Sequence, residues 1–207
     1  DAGGLASVRA GEPHVRVIAT GGSHRLDITD LDRVGLFADT AGLLAAESHT
    51  VRTAILRTVD GIAVNEWHVE SPSGAVPDPG RIERGLARLA RGDRGPLTTL
   101  DRRRAHHPRP SGRSSIGTPG QARALIVPGA SSDATVLEVR AQDRPGLLHE
   151  LGAAFAAAGI SVRSAHIATY AGQTLDTFYL TGADGLPLPP ARVAQAVSLT
   201  IDTCDGI

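Results

Sequence analysis

The chain has 207 residues and a formal net charge of −1, with 21 Lys+Arg against 22 Asp+Glu. That balance excludes the basic excess or stripe of a nucleic-acid binder. A single cysteine, Cys204, excludes a disulfide framework and a cysteine-built metal site. No apolar run reaches the roughly 18 residues of a membrane span and no secretory signal opens the chain, so no membrane association and a cytoplasmic location are expected. The sequence holds no methionine, which leads us to expect a piece of a longer protein. Aromatic residues make up 3%, so the core must be aliphatic.

In chain order, residues 1–12 match nothing else in the sequence and are expected to be the end of an upstream domain or a linker. A short apolar segment, 14–19, precedes Gly21-Gly22-Ser23. Leu26, Ile28 and Asp30 then alternate with Arg25, Asp27 and Thr29, the period-two pattern of a strand. Asp32-Arg33-Val34-Gly35 interrupts it, and Leu36, Phe37, Thr40, Leu43 and Leu44 follow at helical spacing. Ser48 ends this helix. Two strands, 50–58 and 63–70, are joined at Asp60-Gly61, a strong hairpin signal. Proline in the first turn opens a helix over 79–90. Residues 92–121 are polar, Arg-rich and Pro/Gly-rich, with Arg102-Arg103-Arg104 and His106-His107 among them, and a flexible linker is expected.

The same order then recurs. A segment at 122–127 precedes an alternating strand at 137–141, and Asp143-Arg144-Pro145-Gly146 breaks it. Leu147, Leu148, Leu151, Phe155 and Ala158 form a helical stripe that Gly159 is placed to end. Strands at 160–169 and 175–181 flank Ala171-Gly172, and a proline-led helix runs from 190 to about 199. Shifting the sequence by 111 residues superimposes the two halves without a gap over 25–86: Asp32 falls on Asp143, Gly35 on Gly146, Thr58 on Thr169 and Gly61 on Gly172. The chain therefore reads as two copies of one α+β unit, at 13–91 and 122–207. Each has a four-stranded antiparallel sheet with two helices on one face. The fourth strand of each copy comes either from the segment in front of it or, for copy one, from 122–127.

The loop between first strand and helix has the chemistry of an amino-acid site. A helix start offers N–H groups and a dipole to a carboxylate, and the loop aspartate offers an anion to an ammonium. Glycine lets the backbone approach a ligand. The plainer alternative is a strand-to-helix turn with the aspartate as helix cap. His49 and His166 are expected to be structural.

The run Val139 to Leu148, with its Asp-Arg-Pro-Gly-Leu-Leu, resembles the first strand, loop and helix start of an ACT domain. Residues 160–169 followed by Leu175-Asp176-Thr177-Phe178-Tyr179-Leu180 resemble its central hairpin. The tandem, with its Pro/Arg-rich spacer, is similar to the C-terminal end of the bacterial PII uridylyltransferase/uridylyl-removing enzymes. The resemblance implies ferredoxin-like ACT domains and glutamine sensing. It also implies control of a nucleotidyltransferase and hydrolase that acts on the nitrogen regulator PII, with Mg²⁺ in the parent's catalytic domains and no cofactor here. The ligand-binding residues it implies are Asp143, Arg144, Pro145, Gly146, Leu147 and Leu148. The counterpart site is Asp32, Arg33, Gly35 and Leu36, where Val34 replaces the proline. Alternatives are a tandem ACT region of another amino-acid-metabolism enzyme or regulator, and a purely oligomerising module.

Gly21-Gly22-Ser23 followed by Asp30-Leu31-Asp32 resembles the metal-holding motif of nucleotidyltransferases. The Ser23–Asp30 gap is shorter than that family has, and copy two carries Ala141-Gln142-Asp143 at the same place. No catalytic residues and no metal site are therefore expected in the chain.

Overall fold

The computed structural model describes residues 8, 11–106 and 122–206. Copy one is built from β1 (His14–Thr20), β2 (Ser23–Leu31), α1 (Leu36–Ala46), β3 (Thr50–Ile55), a two-residue β4 (Thr58–Val59), β5 (Ile62–Glu70) and α2 (Pro79–Ala90). A 3-10 turn (Gly95–Leu97) and α3 (Thr98–His106) follow. Copy two has β6 (Arg123–Ile126), β7 (Thr135–Gln142), α4 (Leu147–Ala157), β8 (Ser161–Tyr170), β9 (Gln173–Thr181) and α5 (Pro190–Asp205). Each copy is a ferredoxin-like α+β unit whose fourth strand comes from the front. β1 pairs with β2, and β6 pairs with β7, so the segment at 122–127 completes its own copy.

The alternation of apolar residues sets which face is covered. Leu26 and Ile28 on β2, Trp67 and Val69 on β5, and Leu137 and Val139 on β7 are fully buried toward the helix layer. The opposite face of copy one carries a charge ladder, with Arg16 and Arg25 on Asp27 and His68 on Glu66 at 2.6–3.0 Å. Phe37 stacks on Trp67 with centroids 5.3 Å apart, and Phe155 meets Phe178 edge-on at 5.6 Å. Asp78 caps α2 by accepting the Arg81 N–H, and Pro79 occupies the first turn. Ser48 closes the turn after α1 at φ 66, where copy two has Gly159 at φ 67.

The two sheets join edge to edge in the order β1-β2-β5-β3-β8-β9-β7-β6. The seam pairs Thr53 with His166, Ala54 with Ala165 and Ile55 with Ser164. Ala54 and Ala165 are repeat counterparts, so an approximate two-fold axis passes between them. Both seam strands carry a bulge at the same repeat position, Val51/Thr53 and Val162/Ser164, against β5 and β9. Over the seam α1 packs on α4 at glycine contacts. A Cβ on Gly152 would stand 2.6 Å from the Phe37 ring and 3.2 Å from the Ala38 Cα, and one on Gly42 would stand 2.8 Å from His149 Nδ1. His149 Nδ1 hydrogen-bonds the carbonyl of Ala38, its own counterpart, at 2.7 Å.

Two expectations are corrected. The first part of the 92–121 segment is not a flexible linker: it forms the 3-10 turn and α3, anchored by Leu97 and Leu100, which are 2% and 0% exposed. Burial of two leucines three residues apart outweighs the arginine-rich composition. Residues 107–121 lie outside the described residues. Helix α5 continues past 199 to Asp205, because Ala196, Thr200 and Cys204 extend its buried stripe. Of the leading segment 1–12, Val8, Gly11 and Glu12 are described; Val8 is buried and the other two are exposed.

Candidate functional site

The two loops have the same construction. The Asp32 N–H donates to the Gly61 carbonyl at 2.9 Å, and the Asp143 N–H donates to the Gly172 carbonyl at 2.9 Å. Each loop is thereby tied to the hairpin of its own sheet. Gly35 and Gly146 sit at the N-caps of α1 and α4 with φ 86 and φ 80, conformations that favour glycine. No side chain caps either helix, so the aspartates are not N-caps. They turn the other way: Asp32 accepts the Thr58 hydroxyl at 2.7 Å, and Asp143 is bonded to Thr169, the counterpart of Thr58.

The loop arginines are fixed by the first-turn acids. Arg33 donates to Asp39 at 2.6 Å, and Arg144 pairs with Glu150, the counterpart of Asp39. The segment between the copies adds a second arginine to each pair. Arg94 reaches Asp39 at 3.1 Å, and Arg104 from α3 reaches Glu150.

Each loop faces a cleft completed by the other copy. Cleft one, about 780 Å³, is lined by all four expected copy-one residues, Asp32, Arg33, Gly35 and Leu36, and by Gly159, Ile160 and Arg163 of copy two. Cleft two, about 320 Å³, is lined by all six expected copy-two residues, Asp143, Arg144, Pro145, Gly146, Leu147 and Leu148. Ser48, His49, Thr50 and Arg103 close it from copy one and α3. A helix N-terminus, an aspartate and arginines thus converge in each cleft, an arrangement able to hold a carboxylate and an ammonium together.

Burial governs the acids behind cleft two. It pushes the Asp143 carboxyl up, although the Arg144 N–H, Thr169 and the Arg52 guanidinium oppose this. It pushes Asp176 up to about 7, against hydrogen bonds from Thr174 and from the Ala168 backbone and with further repulsion from Asp143. In copy one the position of Asp176 is Asn65, whose Oδ1 accepts the Arg57 N–H at 3.3 Å.

Sequence reasoning located the loops and missed what the opposite copy brings to them. His49 departs from the expected satisfied histidine. It is 6% exposed, its Nε2 stands 3.7 Å from a Glu47 oxygen, and its Nδ1 has no hydrogen-bond partner among the described residues. His166 lies edge-on to Tyr179 at 6.1 Å. Arg103, read as part of the linker, lines cleft two and donates to the Ala45 carbonyl at 3.0 Å. The repeat alignment held one usable signal, since it sets His49 against Ile160.

The Gly-Gly-Ser motif is the β1–β2 hairpin, with Thr20 opposite Ser23. Asp30 is buried beneath the helix layer, and burial pushes its carboxyl up. Among the described residues no group of three His, Cys, Asp or Glu side chains is placed to hold a metal ion. No helix there is long and apolar enough to cross a membrane.

Residues 135–188 match the ACT domain family. The chain is 40% identical over 182 residues to the bifunctional uridylyltransferase/uridylyl-removing enzyme of Streptomyces coelicolor, a match covering 83% of this chain and 21% of that protein. It is 31% identical over 179 residues to the enzyme of the same name from Gluconobacter oxydans, covering 84% of this chain and 19% of that protein. Among solved structures, aspartate kinase from Synechocystis matches 88% of this chain and 26% of its own length, at 16% identity and a TM-score of 0.45. The second copy thus matches the ACT domain, and the chain as a whole is similar to bifunctional uridylyltransferase/uridylyl-removing enzymes, of whose length it spans about a fifth.

Proposed function

We propose that the chain is the amino-acid-sensing regulatory region of a bifunctional uridylyltransferase/uridylyl-removing enzyme. Its effector is glutamine, held in the loop clefts, and its output is the balance between uridylylating and deuridylylating PII. The observation that carries this reading is the convergence, twice over, of a helix N-terminus, a loop aspartate and an acid-anchored arginine at a cleft shared by two copies. The α-carboxylate is received by the helix start and the ammonium by the loop aspartate. Catalysis, and the Mg²⁺ it implies, belongs to the rest of the enzyme, which works in the cytoplasm on this reading.

The seam explains how occupancy can be felt elsewhere. Each cleft has one wall in each copy, so a ligand has different contacts whenever the copies shift about the Ala54–Ala165 axis. A coupling free energy of about 1–3 kcal/mol suffices for such control. Calorimetry with glutamine on this chain and on Asp143→Ala and Gly146→Leu variants tests the reading. Saturable binding that weakens in both variants supports it; equal heats from all three proteins refute the loop as the site.

A further inference from the structure

The approximate two-fold axis makes each residue of one cleft comparable with its counterpart in the other. Most counterparts are alike: Thr50 with Ser161, Val51 with Val162, Ala45 with Ala156, and Ser48 with Gly159. Others differ: His149 lines cleft two where its counterpart Ala38 does not line cleft one, and Arg163 and the 181–185 turn line cleft one without counterparts in cleft two. At the wall facing each loop, cleft one has Ile160 and cleft two has His49. Cleft two also receives Arg103 from α3 and is well under half the size, about 320 against 780 Å³.

His49 is costly where it stands. Its counterpart Ile160 is 3% exposed and belongs to the apolar core, whereas His49 at 6% exposure keeps an Nδ1 without a hydrogen-bond partner among the described residues. A buried polar atom left unpaired is destabilising, and such groups call for an explanation. A ligand group in the adjoining cleft supplies one. The α-ammonium and α-carboxylate are already provided for by Asp143 and the α4 N-terminus, so the group facing His49 belongs to the ligand's side chain.

We infer that the two clefts differ in specificity: cleft two selects an amino acid whose side chain carries a carbonyl oxygen, read by His49 and Arg103, while cleft one, with Ile160, does not discriminate in this way. The inference rests on the amino-acid reading above and adds to it which cleft is selective and which residues make it so. Arg103 lines the same cleft, held in place through the Ala45 carbonyl. A site built around polar donors rejects analogues without the matching group far more strongly than an apolar pocket rejects a polar one.

The test isolates cleft two by Asp32→Ala and compares glutamine, glutamate and leucine by calorimetry on this chain. The unsubstituted wall should bind glutamine or glutamate at least about tenfold more tightly than leucine. His49→Ile, which installs the residue copy two already accommodates, should remove most of that preference while leucine binding stays the same or improves. His49→Gln should retain the preference, and Arg103→Ala should reduce it. The difference between the glutamine and glutamate arms identifies carboxamide or carboxylate as the favoured side chain. Binding with the same preference in the His49→Ile variant overturns this inference alone. Failure of the unsubstituted chain to bind any of the three overturns the amino-acid reading and this inference with it.

Discussion

Replacing Asp176 by asparagine, the residue copy one carries at this place, gives a stability change whose pH dependence can be worked out in advance. The side chain is 2% exposed, and burial raises its pKa from 3.8 to about 7. The folded chain thus holds a proton here that the unfolded chain releases near 3.8. Between those two values the folded state binds more protons, so stability falls as pH rises and levels off above about 7. A shift of about three pKa units corresponds to a ceiling of about 4 kcal/mol. Asparagine keeps an acceptor oxygen for Thr174 and the Ala168 N–H and carries no charge. Asp176→Asn should therefore match the parent near pH 4, gain on it steadily to about pH 7 and hold that margin above it. Urea unfolding followed by Trp67 fluorescence at half-unit pH steps measures the difference. Parallel stability profiles for the two proteins would refute the reasoning, because they would mean that Asp176 ionises equally easily folded and unfolded.

Other substitutions test other parts of the structure. Gly152→Ala adds a Cβ 2.6 Å from Phe37 and 3.2 Å from the Ala38 backbone, and should cost about 1–3 kcal/mol in chemical denaturation despite alanine's better helix propensity. Gly146→Ala should be more destabilising than Gly35→Ala. Both positions have positive φ, but only at Gly146 does the new Cβ meet Leu100 at 3.0 Å and Arg104 at 3.2 Å. Ser48→Gly relieves a φ of 66 and should raise stability by up to about 1 kcal/mol, read as a higher denaturation midpoint. Leu100→Ala empties a fully buried site; a loss of about 2–5 kcal/mol in the local stability of α3, with faster amide exchange across Thr98–His106, is the expected outcome.

The architecture of each copy could be read from the chain because two independent signals agreed. Period-two runs such as Leu26-Ile28 and Leu137-Val139 marked strands, and the ungapped repeat required both halves to share one fold. What lay between the copies was harder to read. The apolar signal of α3 reduces to Leu97 and Leu100 within an arginine-rich stretch, and those leucines are buried by contacts from elsewhere in the fold, Gly146 included. The seam left almost no trace, since Ala54 and Ala165 are small residues that many strands would carry. For the clefts, the loops were legible because Asp, Arg and Gly recur at fixed spacing. Their opposite walls were not, because His49 and Arg103 reach cleft two only through the pairing of β3 with β8 and the docking of α3.

The central claim, that the loop clefts hold an amino acid, is tested most directly by titrating glutamine into the isotopically labelled chain and following the backbone amides by NMR. The account predicts saturable shifts concentrated at Gly146, Leu147 and Leu148 and at their cross-seam neighbours Ser48 to Thr50, with the far edges β1 and β6 unmoved. Shifts absent from the loops, or spread evenly over the sheet, would contradict it.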